Sequence, residues 1–288
     1  MNDEVWNIRR VLAWMTGFFE RKGIEGARLD AELLTADALH IDRVRLYLDL
    51  NKPLSNAELG AIRAHVSRRG QREPVAYIVG RKGFWTLELA VDARVLVPRP
   101  ETERLVELAL EALRDTEGPV LADVGCGSGC VALALAAERP DATIHAIDCS
   151  TDALAVARAN GEALGEAVQW HAGELLDPVA GPLDLVVSNP PYIPTATMAD
   201  LMPEVTEYEP TVALDGGPDG LDVIRRLVPA AAARLRPGGK LLFEIGSDQG
   251  AEAKAIVEGH PAFSAVVVHR DYAKLDRVVE ATRVQGST

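Results

Sequence analysis

Apolar residues recur at helical spacing through the N-terminal quarter of the chain. A second apolar run covers Ala31–Leu39 and follows Asp30, a residue of a type that caps helices. Ser55 and Glu58 have the spacing of a capping box, which marks the start of a third helix. The first run shows the spacing most clearly, at Val5, Ile8, Val11, Leu12 and Met15. We therefore predict a small helical domain over residues 1–80.

Alternation of apolar with polar or small residues replaces the helical pattern in the next segment. Leu87–Val91 alternates in this way, and Val95–Val97 repeats the pattern beyond Asp92–Arg94. Two alternating runs joined by a short turn are typical of a β-hairpin. We predict that residues 81–98 form a linker with a β-hairpin that joins two domains.

Strand-like and helix-like patterns alternate through most of the remaining chain. Repeated β-α units of this kind predict a parallel sheet with right-handed crossovers. The last two apolar runs have no helix between them and predict a terminal antiparallel strand pair, Phe263–Val268 and Leu275–Ala281. The predicted parallel strands are Val120–Val124, Thr143–Ile147, Val168–His171, Leu183–Val187 and Lys240–Ile245. We therefore predict an α/β domain over residues 99–288.

The net charge of −13 is concentrated in the larger predicted domain. Residues 1–80 carry 12 Lys and Arg against 11 Asp and Glu, whereas residues 81–288 carry 18 against 32. An acidic body argues against a large phosphate-binding surface. It suits a cationic cofactor or a basic partner.

Signals for export, membrane insertion and metal binding are missing from the sequence. No apolar run approaches the roughly 20 residues that span a bilayer, and the N-terminus has no apolar segment of signal-peptide type. The three cysteines, Cys126, Cys130 and Cys149, have neither metal-site nor redox spacing. We expect a cytoplasmic protein that binds no membrane and no metal, and we expect a monomer.

A glycine-rich stretch, Gly125–Gly129, lies between a predicted strand and a predicted helix. Its G-x-G-x-G spacing differs from the dinucleotide fingerprint, and glycine lets a ligand approach the backbone closely. Asp148 ends the following strand, where a carboxylate can accept hydrogen bonds from both hydroxyls of a ribose. Glu174 and Leu175 follow the third strand, within reach of an adenine. The combination suits S-adenosylmethionine, a nucleoside without phosphates.

The stretch Asn189-Pro190-Pro191-Tyr192 follows a short apolar run that predicts a buried parallel strand. The two prolines end the strand and stiffen the turn. The Asn189 side-chain oxygen and the Pro190 carbonyl are acceptors, and Tyr192 adds a flat ring. Two acceptors beside an aromatic face suit a planar substrate that carries an NH2 group. The competing interpretation, a strand-ending Asn-Pro turn, is less favoured because the glycine-rich stretch lies upstream.

The connection over residues 193–220 is long and rich in Pro, Gly, Asp and Glu. A segment of this length without regular structure is usually functional or disordered. Because it directly follows the Asn189–Tyr192 stretch, we predict a flap over the substrate site.

Taken with the glycine-rich stretch and Asp148, the sequence resembles the class I S-adenosylmethionine-dependent methyltransferases that act on a planar amide or base. Four further stretches resemble the HemK-type peptide chain release factor glutamine methyltransferases: Glu73–Gly80, Pro98–Glu103, Gly217–Leu221 and Arg270–Tyr272. The resemblance covers nearly the whole chain. It implies a Rossmann-like class I methyltransferase sheet that ends in the antiparallel pair.

The resemblance also implies roles for individual residues. Gly125, Cys126, Gly127, Ser128 and Gly129 would contact the methionine part of the cofactor. Asp148 would bind the ribose, and Glu174 with Leu175 would flank the adenine. The family usually has Asp where this chain has Glu174. The substrate would be the glutamine of a Gly-Gly-Gln loop on class I release factors, held by Asn189, Pro190, Pro191 and Tyr192 and methylated on its side-chain nitrogen.

The expected mechanism is a direct in-line methyl transfer without a metal or a covalent enzyme intermediate. Asn189, next to the cofactor, and the Pro190 carbonyl would accept the two N–H bonds of the glutamine amide, while Tyr192 would pack on the amide plane. Glu101 or Glu103 could lie near the site, although a structural role is favoured for both. The predicted helical domain would dock the release factor.

Three other functions remain open at the level of the sequence. An adenine-N6 nucleic-acid methyltransferase shares the Asn-Pro-Pro-Tyr motif, but the acidic body and the lack of a basic recognition domain disfavour it and stable nucleic-acid binding. A glutamine methyltransferase of a ribosomal protein would differ only in its partner surface. A protein that binds the cofactor without catalysis would not need an intact Asn189–Tyr192 motif beside Asp148.

Overall fold

The computed structural model describes residues 5–284, and these separate into two units. The first contains the described residues up to Gly80 together with Met202–Tyr208. The second contains Arg81–Leu201 and the described residues from Glu209 onward. Each unit has a hydrophobic core of its own. Within residues 5–284, every helix is too short or too polar to cross a membrane.

The order of helices and strands along the chain agrees in broad outline with the order predicted from the periodicity. The helices are α1 (Ile8–Arg21), α2 (Ala27–Ala38), α3 (Arg43–Leu48), α4 (Asn56–Arg69), α5 (Val75–Val79), α6 (Glu103–Ala112), α7 (Cys130–Glu138), α8 (Thr151–Leu164), α9 (Pro203–Thr206), α10 (Asp222–Arg234) and α11 (Gly250–Glu258). The strands are β1 (Arg81–Phe84), β2 (Leu87–Ala90), β3 (Val120–Val124), β4 (Thr143–Asp148), β5 (Gln169–Ala172), β6 (Leu183–Ser188), β7 (Leu235–Glu244), β8 (Phe263–Arg270) and β9 (Asp276–Arg283).

Helices α1 to α5 of the first unit pack around one apolar cluster. Its largest fully buried side chains come from α1, α2 and α3, and the spacing of Ile8, Leu12, Met15 and Phe19 places them on one face of α1. The predicted capping box opens α4. The Ser55 backbone N–H donates to the Glu58 carboxylate at 2.8 Å, and the Glu58 N–H donates to the Ser55 hydroxyl at 3.3 Å.

Arginines at the end of α4 form ion pairs within the first unit. The Arg69 side chain is only 6% exposed and contacts Asp30 at 2.7 Å and Glu204 at 2.8 Å. Arg72 contacts the second oxygen of Glu204 at 2.6 Å. Asp30 was predicted to cap α2, but that helix begins earlier and Asp30 is a partner of Arg69. These pairs hold Met202–Tyr208 in the helical unit.

The second unit is built on a seven-stranded sheet with the strand order β5-β4-β3-β6-β7-β9-β8. Strands β3 to β7 pair in parallel, whereas β9 pairs antiparallel with both β7 and β8. Side chains alternate between the two faces of β3, so that Leu121 joins the cluster with α6, α7 and α8, and Ala122 joins the cluster with α10 and α11. The predicted α/β fold with a terminal antiparallel pair is confirmed.

The hairpin of the second unit is formed by different segments from the predicted ones. Its strands are β1 and β2, joined through Trp85 and Thr86, while Val95–Val97 lies outside any strand. Val95 and Val97 are buried, which explains their apolar character. Burial in an irregular segment produced the alternation that was interpreted as a strand.

A buried amide attaches β2 to α8 and to the glycine-rich loop. The Asn160 side chain is 3% exposed and exchanges two hydrogen bonds with the backbone of Ala90, at 2.8 and 3.0 Å. It also donates to the Ser128 carbonyl at 3.0 Å. One side chain therefore satisfies three backbone groups in two separate segments, and the Ser128 carbonyl among them is buried.

Substitution of Asn160 by leucine is expected to lower the free energy of unfolding by about 2–4 kcal/mol. The apolar side chain removes the partner of the buried Ser128 carbonyl and of the partly buried N–H and carbonyl groups of Ala90. Urea unfolding measures the loss. Glu162→Leu, an exposed position on the same helix, serves as the control and should change stability by about 0.5 kcal/mol or less. Equal stability of the Asn160 variant and the wild type would contradict the assigned role.

The predicted flap contains short ordered turns. Thr195–Asp200 and Thr211–Ala213 form 3-10 helices, and Pro203–Thr206 forms α9. The Ile193 N–H donates to the Leu214 carbonyl at 3.0 Å, and the Gly216 N–H donates to the Ile193 carbonyl at 2.9 Å. These bonds join the beginning of the connection to its later part, so the segment between Ile193 and Leu214 closes into a loop.

Candidate active site

A cavity lies at the carboxyl ends of β3, β4 and β6 in the second unit. These strands are parallel, so the residues that follow them meet at one edge of the sheet. Ten of the twelve predicted site residues line this cavity: Gly125, Cys126, Gly127, Ser128, Asp148, Glu174, Leu175, Asn189, Pro190 and Pro191. Gly129 and Tyr192 do not. Each was predicted from a stretch whose other members line the cavity.

The glycine-rich loop follows β3 and is fixed to β4 by its backbone. The N–H groups of Gly125 and Cys126 both donate to the Ile147 carbonyl, at 2.8 and 3.0 Å. Gly125 has φ +74° and Gly127 has φ +54°, a backbone conformation that side chains disfavour. A Cβ atom at either position would meet no atom within 4 Å, so the loop faces open space.

Gly129 serves the packing of α7 instead. Its φ is +82°, and a Cβ atom there would lie 3.0 Å from the Trp170 ring and 3.1 Å from Leu133. The third glycine therefore permits close approach of side chains from β5 and α7 rather than of a ligand.

Asp148 ends β4 and binds the glycine-rich loop. One carboxylate oxygen accepts the Gly127 N–H at 2.8 Å, and the other accepts the Ser150 N–H at 2.9 Å. A carboxylate oxygen can accept two hydrogen bonds, so each retains capacity for a ligand hydroxyl. The residue is 9% exposed and lines the cavity.

Glu174 and Leu175 follow β5 at the far wall of the cavity. Leu175 is half-buried and has φ +48°, which turns the chain after Glu174. The Glu174 side chain is 61% exposed and pairs with Arg226 of α10. The Glu174 carboxylate therefore already has a cationic partner at the rim of the cavity.

Asn189 and the two prolines follow β6 and line the cavity. Strand β3 lies between β6 and β4, the strand that carries Asp148. The Asn189 Nδ2 atom donates to the Thr102 hydroxyl at 3.1 Å. This leaves the side-chain oxygen as the group available to a ligand. Pro190, whose carbonyl is the second predicted acceptor, lines the same wall.

Tyr192 lies behind the cavity wall, with its hydroxyl 3.2 Å from the Glu244 carboxylate. Burial and the neighbouring Glu244 raise the pKa of Tyr192 far above its usual range. The phenol is therefore neutral and donates to Glu244. The ring was predicted to pack on the substrate amide, but the cavity lining does not include it.

Thr102 and Glu244 are two residues of this region that the sequence did not single out for a role. The Thr102 hydroxyl donates to Glu244 at 2.7 Å, and both side chains are almost fully buried. Burial raises the pKa of Glu244 to about 7, against the opposing effects of Thr102 and Arg277. The sequence does contain an indication of Glu244, because this charged residue stands between Phe243 and Ile245 at the end of an apolar run.

Glu101 and Glu103, the two carboxylates considered near the site, do not line the cavity. Glu103 accepts the backbone N–H of Trp85 at 2.9 Å and so fixes the turn of the hairpin. Arg99, from the same stretch, does line the cavity and contacts both oxygens of the buried Glu209 at 2.8 and 2.7 Å. The structural interpretation of Glu103 agrees with this geometry.

The residues present fit S-adenosylmethionine. The open faces of Gly125 and Gly127 leave room beside the backbone, and Asp148 keeps acceptor capacity on both oxygens. Leu175 and Ile147 add apolar side chains to the lining of the same cavity. The bound cofactor would supply a methyl group carried on a sulfonium.

Comparison with known proteins gives matches to both halves of the chain. The PrmC N-terminal domain family matches residues 10–80, and the methyltransferase small domain family matches residues 103–205. A T. Thermophilus 16S rRNA methyltransferase solved with AdoMet and guanosine superposes with a TM-score of 0.51 at 20% identity, over 70% of this chain and 49% of that one. A methyltransferase from Pyrococcus furiosus gives 0.50 at 16% identity, over 70% and 92%. These structures share the fold.

Whole-length relatives are much more similar. A release factor glutamine methyltransferase from Geobacter sulfurreducens is 46% identical over 277 residues, which cover 96% of each chain. One from Chlorobaculum tepidum is 43% identical over 287 residues, covering 96% of this chain and 97% of the relative. At this identity and coverage the chain belongs to the release factor glutamine methyltransferase family.

Proposed function

We propose that the protein transfers a methyl group from S-adenosylmethionine to the side-chain nitrogen of the glutamine in the Gly-Gly-Gln motif of class I peptide chain release factors. The observation that carries the proposal is the placement of Asn189 and Pro190 in the same cavity as the glycine-rich loop and Asp148. The names of the full-length relatives support the glutamine of a release factor as the substrate.

The cofactor half of the cavity consists of the loop, Asp148 and Leu175. The open faces of Gly125 and Gly127 admit the methionine part, and Asp148 binds the ribose hydroxyls. Leu175 packs against the adenine, with Glu174 at the rim. Asp148 also holds Gly127, so the ribose contact and the loop conformation depend on the same carboxylate.

The substrate half of the cavity holds a planar amide by its two N–H bonds. The Asn189 side-chain oxygen accepts one, and the Pro190 carbonyl accepts the other, which directs the nitrogen lone pair out of the amide plane toward the methyl carbon. The amide nitrogen would take up the methyl group that the bound cofactor supplies, and the electrons of the broken C–S bond would stay on sulfur. The nitrogen then releases one proton to water, so the product is a neutral N5-methyl amide.

Positioning is the main source of acceleration in this scheme. Holding two reactants in a reactive geometry can supply roughly 7–11 kcal/mol of a barrier. The two acceptors become more favourable as positive charge develops on nitrogen, which adds on the order of a few kcal/mol. Tyr192 contributes through Glu244 rather than through direct contact with the amide.

The helical domain, residues 1–80, is proposed as the part that docks the release factor, which acts in translation in the cytoplasm. We expect a peptide that contains Gly-Gly-Gln to be methylated with a kcat/KM at least about 100-fold below that of the whole release factor, since the peptide lacks the docking contacts. Steady-state kinetics with both substrates measures the ratio. Equal values would contradict a docking role for this domain.

An assay with labelled S-adenosylmethionine and purified release factor, followed by peptide mass spectrometry, tests the proposed function. One methyl group on the Gly-Gly-Gln glutamine is the expected result. Label on nucleic acid or on a ribosomal protein, with none on the release factor, would retain the chemistry and overturn the substrate. S-adenosylmethionine binding without transfer to any of the three would overturn the enzymatic proposal.

A further inference from the structure

Four side chains form one continuous series of hydrogen bonds that runs from Asn189 and Thr102, which line the cavity, to Glu244 and Tyr192, which do not. Asn189 Nδ2 donates to Thr102 Oγ1 at 3.1 Å, and Thr102 Oγ1 donates to Glu244 Oε2 at 2.7 Å. Tyr192 donates to the other carboxylate oxygen, Glu244 Oε1, at 3.2 Å. The series joins the first and last residues of the Asn-Pro-Pro-Tyr stretch through a single carboxylate on β7.

We propose that Thr102 and Glu244 are positioning residues that fix the Asn189 amide with its oxygen toward the substrate. The identity of the substrate amide rests on the proposed function, whereas the orientation of Asn189 follows from the hydrogen bonds of the four side chains. Both residues act through Asn189 in this arrangement, Thr102 from the cavity lining and Glu244 from outside it.

The orientation follows from the number of protons available. An ionised Glu244 can only accept hydrogen bonds, so the single hydroxyl proton of Thr102 is donated to it. The Thr102 oxygen can then only accept, and only the NH2 end of the Asn189 amide can donate to it. The amide oxygen therefore faces the cavity, where the proposed substrate presents an N–H.

The reverse orientation would prevent binding of an amide substrate. It would direct the Asn189 NH2 group at the NH2 group of the glutamine, and two donors would face each other. An asparagine amide has nearly the same shape in both orientations, so packing alone does not select one. The hydrogen bonds of the buried Thr102–Glu244 pair select one of the two orientations.

Protonation of Glu244 would remove the preference for this orientation of the Asn189 amide. A protonated Glu244 can donate to Thr102, whose hydroxyl is then free to donate to the Asn189 oxygen. The raised pKa of Glu244, about 7, places this change near neutral pH. The other groups that act on this carboxyl are Arg277 on β9, Glu101 before α6, Cys130 on α7 and Tyr192 after β6.

Thr102→Val and Thr102→Ser form the matched pair that tests the proposal. Valine keeps the shape of threonine and removes the hydroxyl, so we expect kcat to fall roughly 10- to 100-fold. The Kd for S-adenosylmethionine should change less than about threefold because Thr102 is not placed at the cofactor. Serine restores the hydroxyl and should keep kcat within about threefold of the wild type.

A readout independent of catalysis is the side-chain NH2 signal of Asn189 in a nuclear magnetic resonance spectrum. In the wild type we expect one of its two protons to exchange slowly with water, because it is bonded to Thr102. The protection should disappear in Thr102→Val and persist in Thr102→Ser. Protection that survives in the valine variant would overturn the proposed orientation.

The pH profile tests the part played by Glu244. The wild-type kcat should fall as the pH decreases through about 7, with a slope that corresponds to one proton. Glu244→Gln cannot titrate and should lack this acidic limb, with a lower plateau. A wild-type profile that stays flat through pH 7, or an unchanged limb in the glutamine variant, would contradict the role of Glu244.

The failure of this inference can be separated from the failure of the proposed function. If the wild type does not methylate a release factor, the resonance of Asn189 still reports the orientation. If the wild type methylates it and Thr102→Val does so at the same rate with normal Asn189 protection, the inference fails alone. Thermal unfolding of each variant confirms that a change in rate is measured on folded protein.

Discussion

Asn189→Ala is expected to lower kcat for release factor methylation by about 100- to 1,000-fold. The variant loses one of the two acceptors that we propose to hold the glutamine amide, and such preorganised contacts have effects of this size. Binding of S-adenosylmethionine, measured by calorimetry, should stay within about threefold of the wild-type Kd. The reduction should appear mainly in kcat because the contact strengthens as charge develops on nitrogen.

Asn189→Ser offers a comparison for this prediction. A serine hydroxyl is also an acceptor, but its shorter side chain does not reach the same point, so the variant should remain close to the alanine variant. Turnover near the wild-type rate in Asn189→Ala, with normal folding, would remove Asn189 from the proposed mechanism.

Asp148→Ala is expected to weaken S-adenosylmethionine binding by about 100-fold or more. The variant loses the proposed ribose acceptor, and charge-assisted hydrogen bonds contribute about 1.5–3 kcal/mol each. It also leaves the Gly127 and Ser150 N–H groups without their partner, so the glycine-rich loop loses a fixed contact. Calorimetric titration with S-adenosylmethionine measures the loss.

Glu162→Gln is the matched control for the Asp148 variant. It changes the net charge by the same amount at an exposed position of α8 and should leave the Kd unchanged. A weakening of the same size in both variants would indicate a general electrostatic effect. An unchanged Kd in Asp148→Ala would contradict the proposed cofactor site.

The sheet could be predicted because its signals are local. Apolar runs such as Leu183–Val187 are long enough to identify buried strands, and the intervening helices imply parallel pairing. The residues at the strand ends then meet at one edge by topology alone. The glycine-rich loop, Asp148 and Asn189 line one cavity for this reason.

The parts that could not be predicted depend on distant partners. Thr102 and Glu244 are 142 positions apart in sequence, and no periodicity relates them. Phe84, the only buried side chain of β1, gives too little alternation to identify that strand, whereas buried valines beyond β2 imitate one. The sequence shows that Tyr192 carries an aromatic ring, but the hydroxyl of this ring is directed by Glu244, which is distant in sequence.

The membership of Met202–Tyr208 in the helical unit means that the chain passes between the two units three times, after Gly80, Leu201 and Tyr208. The helical unit is therefore not a contiguous piece of polypeptide that can be cut off or exchanged at one junction. Removal of its N-terminal part would leave Glu204 without Arg69 and Arg72 and would free the loop that follows Asn189. A truncation would thus remove the proposed docking domain and alter the 193–220 connection at the same time, and chimaeras between relatives must transfer residues 1–80 and Met202–Tyr208 as a set.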